Sequence, residues 1–231
     1  MLRKLILILI STSILTTSGL IAQTKKEALL YYREGLKFYN DKKYQSAITS
    51  FSKVLKISQE IYSKEIEGIA LNNIGLCYKN LKEYQKAIQF YKQALEIKRM
   101  LENLSDMVVV LNNLAIVYEL VNEYENVVKT YNQILQILTN SEKREDMKLM
   151  AELLNKIGDA YSRQHKPAQA IESYKQSIEI SSVINEDVLV VQSLRKTGEV
   201  LLNEGDRMEA KRFFNQAYEI EKEIKEKEEA K

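Results

Sequence analysis

LNNIGLCYKNLKEYQKAIQFYKQALEI, residues 71–97, reads as two helices joined by a tight turn, and four other stretches of the chain echo it. Aligning on small residues picks out Gly35, Gly75, Ala115, Gly158 and Gly198, spaced 40, 40, 43 and 40 residues apart. Three residues after each stand Phe38, Tyr78, Tyr118, Tyr161 and Leu201. Twelve after stand Ala47, Ala87, Val127, Ala170 and Ala210. Sixteen after stand Phe51, Tyr91, Tyr131, Tyr174 and Phe214, and four before stand Tyr31, Leu71, Leu111, Leu154 and Leu194. Five columns held in register over five copies define a repeat.

The columns have a physical reading. A small residue lets two helices approach closely, aromatics fill the space beside it, and the alanine column faces the small column from the second helix. One such pair cannot bury both of its faces, so the units must stack on neighbours. IGLCY with AIQFY, and IGDAY with AIESY, resemble the tetratricopeptide repeat family, whose signature is Leu-Gly-x-x-Tyr in the first helix and Ala-x-x-x-Phe in the second. The resemblance runs from Lys25 to about Lys222. It implies an all-α chain, an α-solenoid of five stacked antiparallel helix pairs in a right-handed superhelix over residues 23–222. The expected repeats are about 25–62, 64–103, 105–141, 146–184 and 186–222, with a C-terminal capping helix and a charged helical tail at 223–231. At about 40 residues the repeat is longer than the usual 34, and no copy has the closing proline. Both helices therefore look extended, as in the long-repeat members found in kinesin light chains and some peptide-sensing regulators.

Composition agrees. The chain has 231 residues and 45% apolar content, enough for a core shared along a row of units. One proline and seven glycines argue against an all-β or loop-rich protein. Lys and Arg total 34 against 32 Asp and Glu. Without Arg3 and Lys4 the two signs balance and are interspersed, which does not fit a nucleic-acid surface. Cys77 is the one cysteine and its place beside Gly75 reads as a buried small hydrophobe.

MLRKLILILISTSILTTSGLIAQT, residues 1–24, has a basic start, an apolar run from Leu5 to Leu15 and small residues near Ala22. This is the layout of a secretory signal peptide over residues 1–22, with cleavage after Ala22 or Gln23. An uncleaved membrane anchor is the rival reading, since Leu5 to Thr24 approaches the length of a bilayer span. Either way the body is expected outside the cytoplasm, periplasmic or secreted. Membrane contact is expected only if the segment stays uncleaved.

Turn chemistry marks the boundaries. Pro167 sits where a first helical residue tolerates proline. Asp206 with Glu209 has capping-box spacing, and Asn185 before Glu186 and Asp187 reads as a helix start. The 43-residue step falls on TNSEKRED, Thr139 to Asp146, expected as a polar, mobile connection. From Glu219 only Ile220 and Ile224 are apolar, too few for a coiled coil, so the end is expected as a solvated cap fading into disorder.

Residues for catalysis are scarce. His165 is the only histidine and lies in a turn, no cysteine or carboxylate cluster has metal-ligand spacing, and no glycine-rich phosphate loop exists. No enzyme activity, cofactor, metal or nucleic-acid partner is expected. Of the fourteen tyrosines, nine fall in three repeat columns and read as packing, while Tyr32 and Tyr39 fall on the first-helix face.

The family resemblance implies that first helices line the concave side. Three before the small residue this puts Tyr32, Asn72, Asn112, Asn155 and Arg195 in the groove. Two before come Arg33, Asn73, Asn113, Lys156 and Lys196. Leu36, Leu76 and Ile116 follow one after, and Lys79 four after. An asparagine amide carries donors and an acceptor, so a row of them can pair with an extended peptide backbone whatever its side chains. The same asparagines could instead bond across neighbouring helices and only hold the stack. The function expected is a non-enzymatic extracytoplasmic scaffold that holds a protein or peptide of unspecified identity. A structural subunit of an envelope complex and the sensory input module of a bacterial signalling system are the alternatives.

Overall fold

A computed structural model describes residues 22–229. The leader reading of residues 1–22 lies, except for Ala22, outside the described part, as do the last two residues of the tail. Among the described residues there are ten helices and no strand. They are α1 (residues 22–40), α2 (Tyr44–Glu60), α3 (Lys64–Asn80), α4 (Tyr84–Met100), α5 (Leu104–Leu120), α6 (Tyr124–Leu138), α7 (Arg144–Arg163), α8 (Pro167–Val183), α9 (Asp187–Asn203) and α10 (Arg207–Glu229). The chain divides after Val117, inside α5, into two compact units.

In the first unit the partners are antiparallel. Gly75 faces Tyr91 while Gly68 faces Ile97 and Lys98, so contacts run backward along α3 as they run forward along α4. The small column works through the aromatic sixteen residues on. A Cβ placed on Gly35 would lie 2.6 Å from the Phe51 ring, and one on Gly75 would lie 2.9 Å from the Tyr91 ring. The sequence reading set the alanine opposite the small residue. The structure sets the ring there instead, because a flat face fills the gap that the missing side chain leaves. Ala47 and Ala87 are fully buried. Ala47, Phe51, Ile74 and Cys77 form one apolar cluster joining the first two pairs. Burying a residue such as Phe51 completely stabilises by about 1.5–3 kcal/mol. Burial also pushes the Cys77 thiol up to about 12, as expected of an inert core residue. Lys98 is buried along its stem beneath Gly68, and its amine reaches Asp106 at 2.5 Å.

The second unit repeats the logic. The Tyr174 ring lies over Gly158 and the Phe214 ring over Gly198. Ala170, Tyr174 and Val200 form one cluster, and Val190, Val191, Leu194 and Ala217 another. The three extra residues of the 43-residue step lengthen α7 to 20 residues, where most other helices have 17. In the connection left over, residues 139–143, Ser141 Oγ donates to Asp146. Just beyond it, Arg144 and Lys148 of α7 both bind Glu186 at the start of α9, at 2.9 and 3.0 Å.

Most of the turns share one conformation that composition hides. Lys42, Tyr62, Lys82, Glu102 and Asn122 have positive φ at intervals of twenty residues, and His165, Asn185 and Gly205 continue the interval after the long step. After each, an amide reaches back five residues, as Lys43 N–H does to Phe38 O at 2.8 Å, closing the carbonyl end of the preceding helix. Asn185 is therefore a left-handed turn residue and not the helix start expected of it. Its φ of 53° is one that asparagine tolerates better than most residues. Asp206 does cap α10, accepting from Glu209 N–H at 3.1 Å, and Asn103 caps α5 in the same way. α10 does not fade after Lys222. It stays helical to Glu229, because Ile220 and Ile224 pack against the Val190 cluster.

Candidate functional site

The first-helix face of the first unit carries ten of the expected positions. Arg33 is exposed, Tyr32 tilts against Phe51 with ring centres 5.9 Å apart, and Leu36 sits at the edge of the Phe51 cluster. Asn72, Asn112, Asn113, Leu76, Ile116 and Lys79 are all half-buried, so each still presents surface. Asn113 Nδ2 donates to Asn72 Oδ1 at 3.1 Å, bridging α3 and α5. That bond consumes one donor group and one acceptor. It leaves the Asn72 amide nitrogen and the Asn113 amide oxygen, which together match the carbonyl and N–H of one peptide unit. Asn73 is different, because its amide is spent on the carbonyl of Ile69 in its own helix at 2.8 Å. Asn80, about two turns further on, bonds α3 to α1 by donating to the Tyr39 hydroxyl at 3.0 Å.

Charge on this face is unbalanced. No carboxylate among the described residues pairs with Arg33 or Lys79. Burial strips water from the Lys79 amine and holds its pKa below the ordinary lysine value. A carboxylate arriving beside it would raise that value again.

The second unit is built otherwise. Asn155 is 3% exposed, and its Oδ1 accepts from Ser193 Oγ at 2.9 Å within a buried run that includes Ser177. The expected ligand contact at Asn155 is thus corrected to an internal role. α7 and α9 come close there, and small serines leave the amide as their polar neighbour. Asn155 Nδ2 has no partner, while Ser193 Oγ also lies 2.8 Å from the Leu189 carbonyl. One hydroxyl proton cannot serve two acceptors. Turning the amide lets Nδ2 donate to Ser193 and frees that proton for Leu189.

Lys196 is held by Asp159 at 2.5 Å, and Asp159 also accepts from the Tyr174 hydroxyl at 2.8 Å. Arg195 makes a two-pronged pair with Glu221 of α10 at 2.9 and 2.8 Å. Lys156 has no carboxylate partner and lies over the Tyr131 ring, 5.7 Å from its centre. Between α7 and α9 runs a groove of about 500 Å³, lined by Glu152, Lys156, Asp159, Gln192 and Lys196 and by the Lys148–Glu186 pair. Lys148 and Glu186 were missed in the sequence. They lie outside the columns taken for the face, at a point where the longer α7 breaks the 40-residue step. Among the described residues no group of three His, Cys, Asp or Glu is placed to hold a metal ion. No described helix is long and apolar enough to cross a membrane.

Paired antiparallel helices repeating at about 40 residues, with a glycine under an aromatic ring in pair after pair, define a helical-repeat scaffold. The family model of the tetratricopeptide repeat matches residues 27–100, 110–145 and 149–223, and the chain belongs to that family. It is a scaffold of the protein-interaction kind. Among solved structures it is similar to the apo form of RapI, at 18% identity and TM-score 0.74, over 91% of this chain and 59% of that one. It therefore spans under two thirds of RapI. It is also similar to MamA, at 19% identity and TM-score 0.66, over 87% and 96% of the two chains. BtubC (BKLC) from P. vanneervenii matches at 16% identity and TM-score 0.60, over 89% and 91%. At these identities the likeness is one of fold. A comparison with curated proteins finds no match.

Proposed function

We propose that the chain is an extracytoplasmic scaffold that holds a protein or peptide segment on the first-helix face of its first unit. The observation that carries the reading is the half-buried Asn72–Asn113 pair, which leaves one donor and one acceptor without a partner in the fold. Around it lie the half-buried Leu36, Leu76 and Ile116, and the unpaired cations Arg33 and Lys79. A surface of main-chain-matching amides, apolar patches and uncompensated positive charge suits an extended segment with apolar side chains and a carboxylate. The second unit's face supports the reading less, because Arg195 and Lys196 are already paired within the fold. The extracytoplasmic part of the proposal rests on the basic start and apolar run of residues 1–22, and sequencing the mature N-terminus tests it.

The binding part is tested by Asn72→Ala with Asn113→Ala. Removing both amides together leaves neither one unpaired, so folding should change little. Two lost hydrogen bonds to a ligand weaken capture by roughly tenfold or more. Cross-linking in cells, followed by mass spectrometry of what is retained, measures this. Unchanged capture, with a lowered melting temperature, would assign the pair to holding the stack alone.

A further inference from the structure

We infer that an Asp or Glu side chain of the captured segment seats its carboxylate between Lys79 and the hydroxyl of Tyr91, in the place that the chain fills with its own carboxylates elsewhere. This rests on the scaffold reading above, and adds which chemical group the face selects and where.

The aromatic column sixteen residues after the small residue holds three tyrosines, Tyr91, Tyr131 and Tyr174, each at most 2% exposed. Two of the three hydroxyls are served inside the fold. Tyr131 donates to Glu119 at 2.9 Å, and Tyr174 donates to Asp159 at 2.8 Å. Glu119 stands four after its small residue and Asp159 one after, each on the first helix of the same pair. Both carboxylates are half-buried, so each hydroxyl lies one side chain beneath the first-helix face. A cation accompanies each ring, Lys156 at 5.7 Å from the centre of Tyr131 and Lys196 at 5.8 Å from that of Tyr174.

Tyr91 breaks the pattern. Its hydroxyl is buried and has no hydrogen-bond partner. The positions that supply the acceptor in the other two pairs hold Leu76 and Lys79 here, and neither side chain can accept. A buried donor left unpaired lowers stability. Phenylalanine avoids the loss, as Phe51 does at the same place in the first pair. Lys79 is itself half-buried without a carboxylate, and burial holds its pKa below the ordinary lysine value. An unserved donor and a partly dehydrated cation thus occupy the layer where later pairs hold an anion. One incoming carboxylate answers both, one oxygen accepting from the Tyr91 hydroxyl and the other from the Lys79 ammonium. The flexible lysine stem lets the amine move aside to admit it.

The neighbouring amides place the rest of the segment. Lys156 and Lys196 stand two before the small residue of the next pair, and the corresponding residue beside Tyr91 is Asn113. The Asn72–Asn113 pair therefore adjoins the hydroxyl. A peptide unit lying on that pair brings an adjacent side chain within reach of Lys79.

The test uses the full chain. Tyr91→Phe, Tyr131→Phe and Tyr174→Phe are melted alone and then compared for capture in cells. Tyr131→Phe and Tyr174→Phe should lower the melting temperature, whereas Tyr91→Phe should leave it level or raise it, because only the first two lose a bond. Capture should fall roughly tenfold in Tyr91→Phe. A water-soluble carbodiimide joins an amine to a carboxylate in contact with it, and is expected to link Lys79 to an Asp or Glu of the retained protein. Lys79→Glu supplies the acceptor from the chain itself, as Glu119 does, and should raise the melting temperature and abolish capture. A lowered melting temperature in Tyr91→Phe overturns the inference, since the hydroxyl then has a partner in the free fold. Undiminished capture by Tyr91→Phe or by Lys79→Glu overturns it too, as does a carbodiimide link from Lys79 to a chain end instead of a side chain. If Asn72→Ala with Asn113→Ala still weakens capture in those cases, the scaffold reading stands without the carboxylate; if it does not, both fall.

Discussion

A single methyl group is the unit in which this fold is specified. Gly158 lies so close beneath the Tyr174 ring that any Cβ there must displace the ring or the helix. The ring is held at its tip as well, since its hydroxyl donates to the neighbouring Asp159. Gly158→Ala is therefore expected to destabilise the chain by about 1–3 kcal/mol, the ordinary range for overpacking a core, as a lower urea midpoint. An unchanged midpoint would mean that the ring yields freely. This column was legible in the sequence because close approach admits only small residues, glycine in four copies and Ala115 in the third. The left-handed turns were not legible. The backbone makes the same excursion at Lys42, Tyr62 and Glu102 as at Asn122, Asn185 and Gly205, and only the latter three are residue types that favour it. Asn155 was misplaced for a related reason. Its column names a height on the helix, whereas its burial depends on the serines of α8 and α9 packed against it.

Single helices show where the repeat bends to circumstance. α7 absorbs three extra residues as additional helix, and these bring Arg144 to Glu186 beside Lys148; the two cations hold its carboxyl below its usual pKa, Arg144 first. α10 is longer still at 23 residues. Sequence alone suggested that it frays, because Ile220 and Ile224 look too sparse to hold a helix. They suffice because α9 offers Val190, Val191 and Leu194 as a ready surface. Ile224→Ala should then cost about 1 kcal/mol, a fraction of the value for a fully buried side chain since Ile224 is half-buried. Denaturation followed by circular dichroism measures it. No change in midpoint would mean that the end of α10 is detached in solution. The surrounding ion pairs, such as Lys227 with Asp187 at 3.7 Å, are exposed and add little.

For the molecule as a whole, the buried phenols and thiol set a limit at high pH. Tyr91, Tyr131 and Tyr174 have pKa values raised above the ordinary tyrosine value, in each case first by burial. Cys77 is raised to about 12 from 9.0 by the same cause. Each group stays protonated in the folded chain while its unfolded counterpart ionises above pH of about 9–10. Above that pH the folded state binds more protons, so the slope of stability with pH is negative. Stability is expected to fall by roughly 1.4 kcal/mol per pH unit for each such group until its folded pKa is reached. Thermal melts between neutral and alkaline pH measure this, and a flat profile would show that these side chains ionise without unfolding. Architecture was readable at this scale because a period of 40 residues leaves few solutions for burying helix pairs. The candidate face was readable only in part. Column positions tell which residues can point outward, but the internal partners of Asn73, Asn155, Arg195 and Lys196 emerge only when helices are set side by side.

The twenty-residue interval between turns gives the chain a parity. Each helix and its turn are one count, and odd counts and even counts have different duties: the odd ones carry the glycine and the amides, the even ones the ring that covers the glycine. An internal deletion of twenty residues would preserve every helix length and every turn, yet it would hand each later helix the opposite duty and leave rings facing rings. A deletion of forty would not. The interval that makes the backbone uniform thus forbids half of the length changes that uniformity alone would permit, and the three residues added at the start of α7 are accommodated because they leave the count intact.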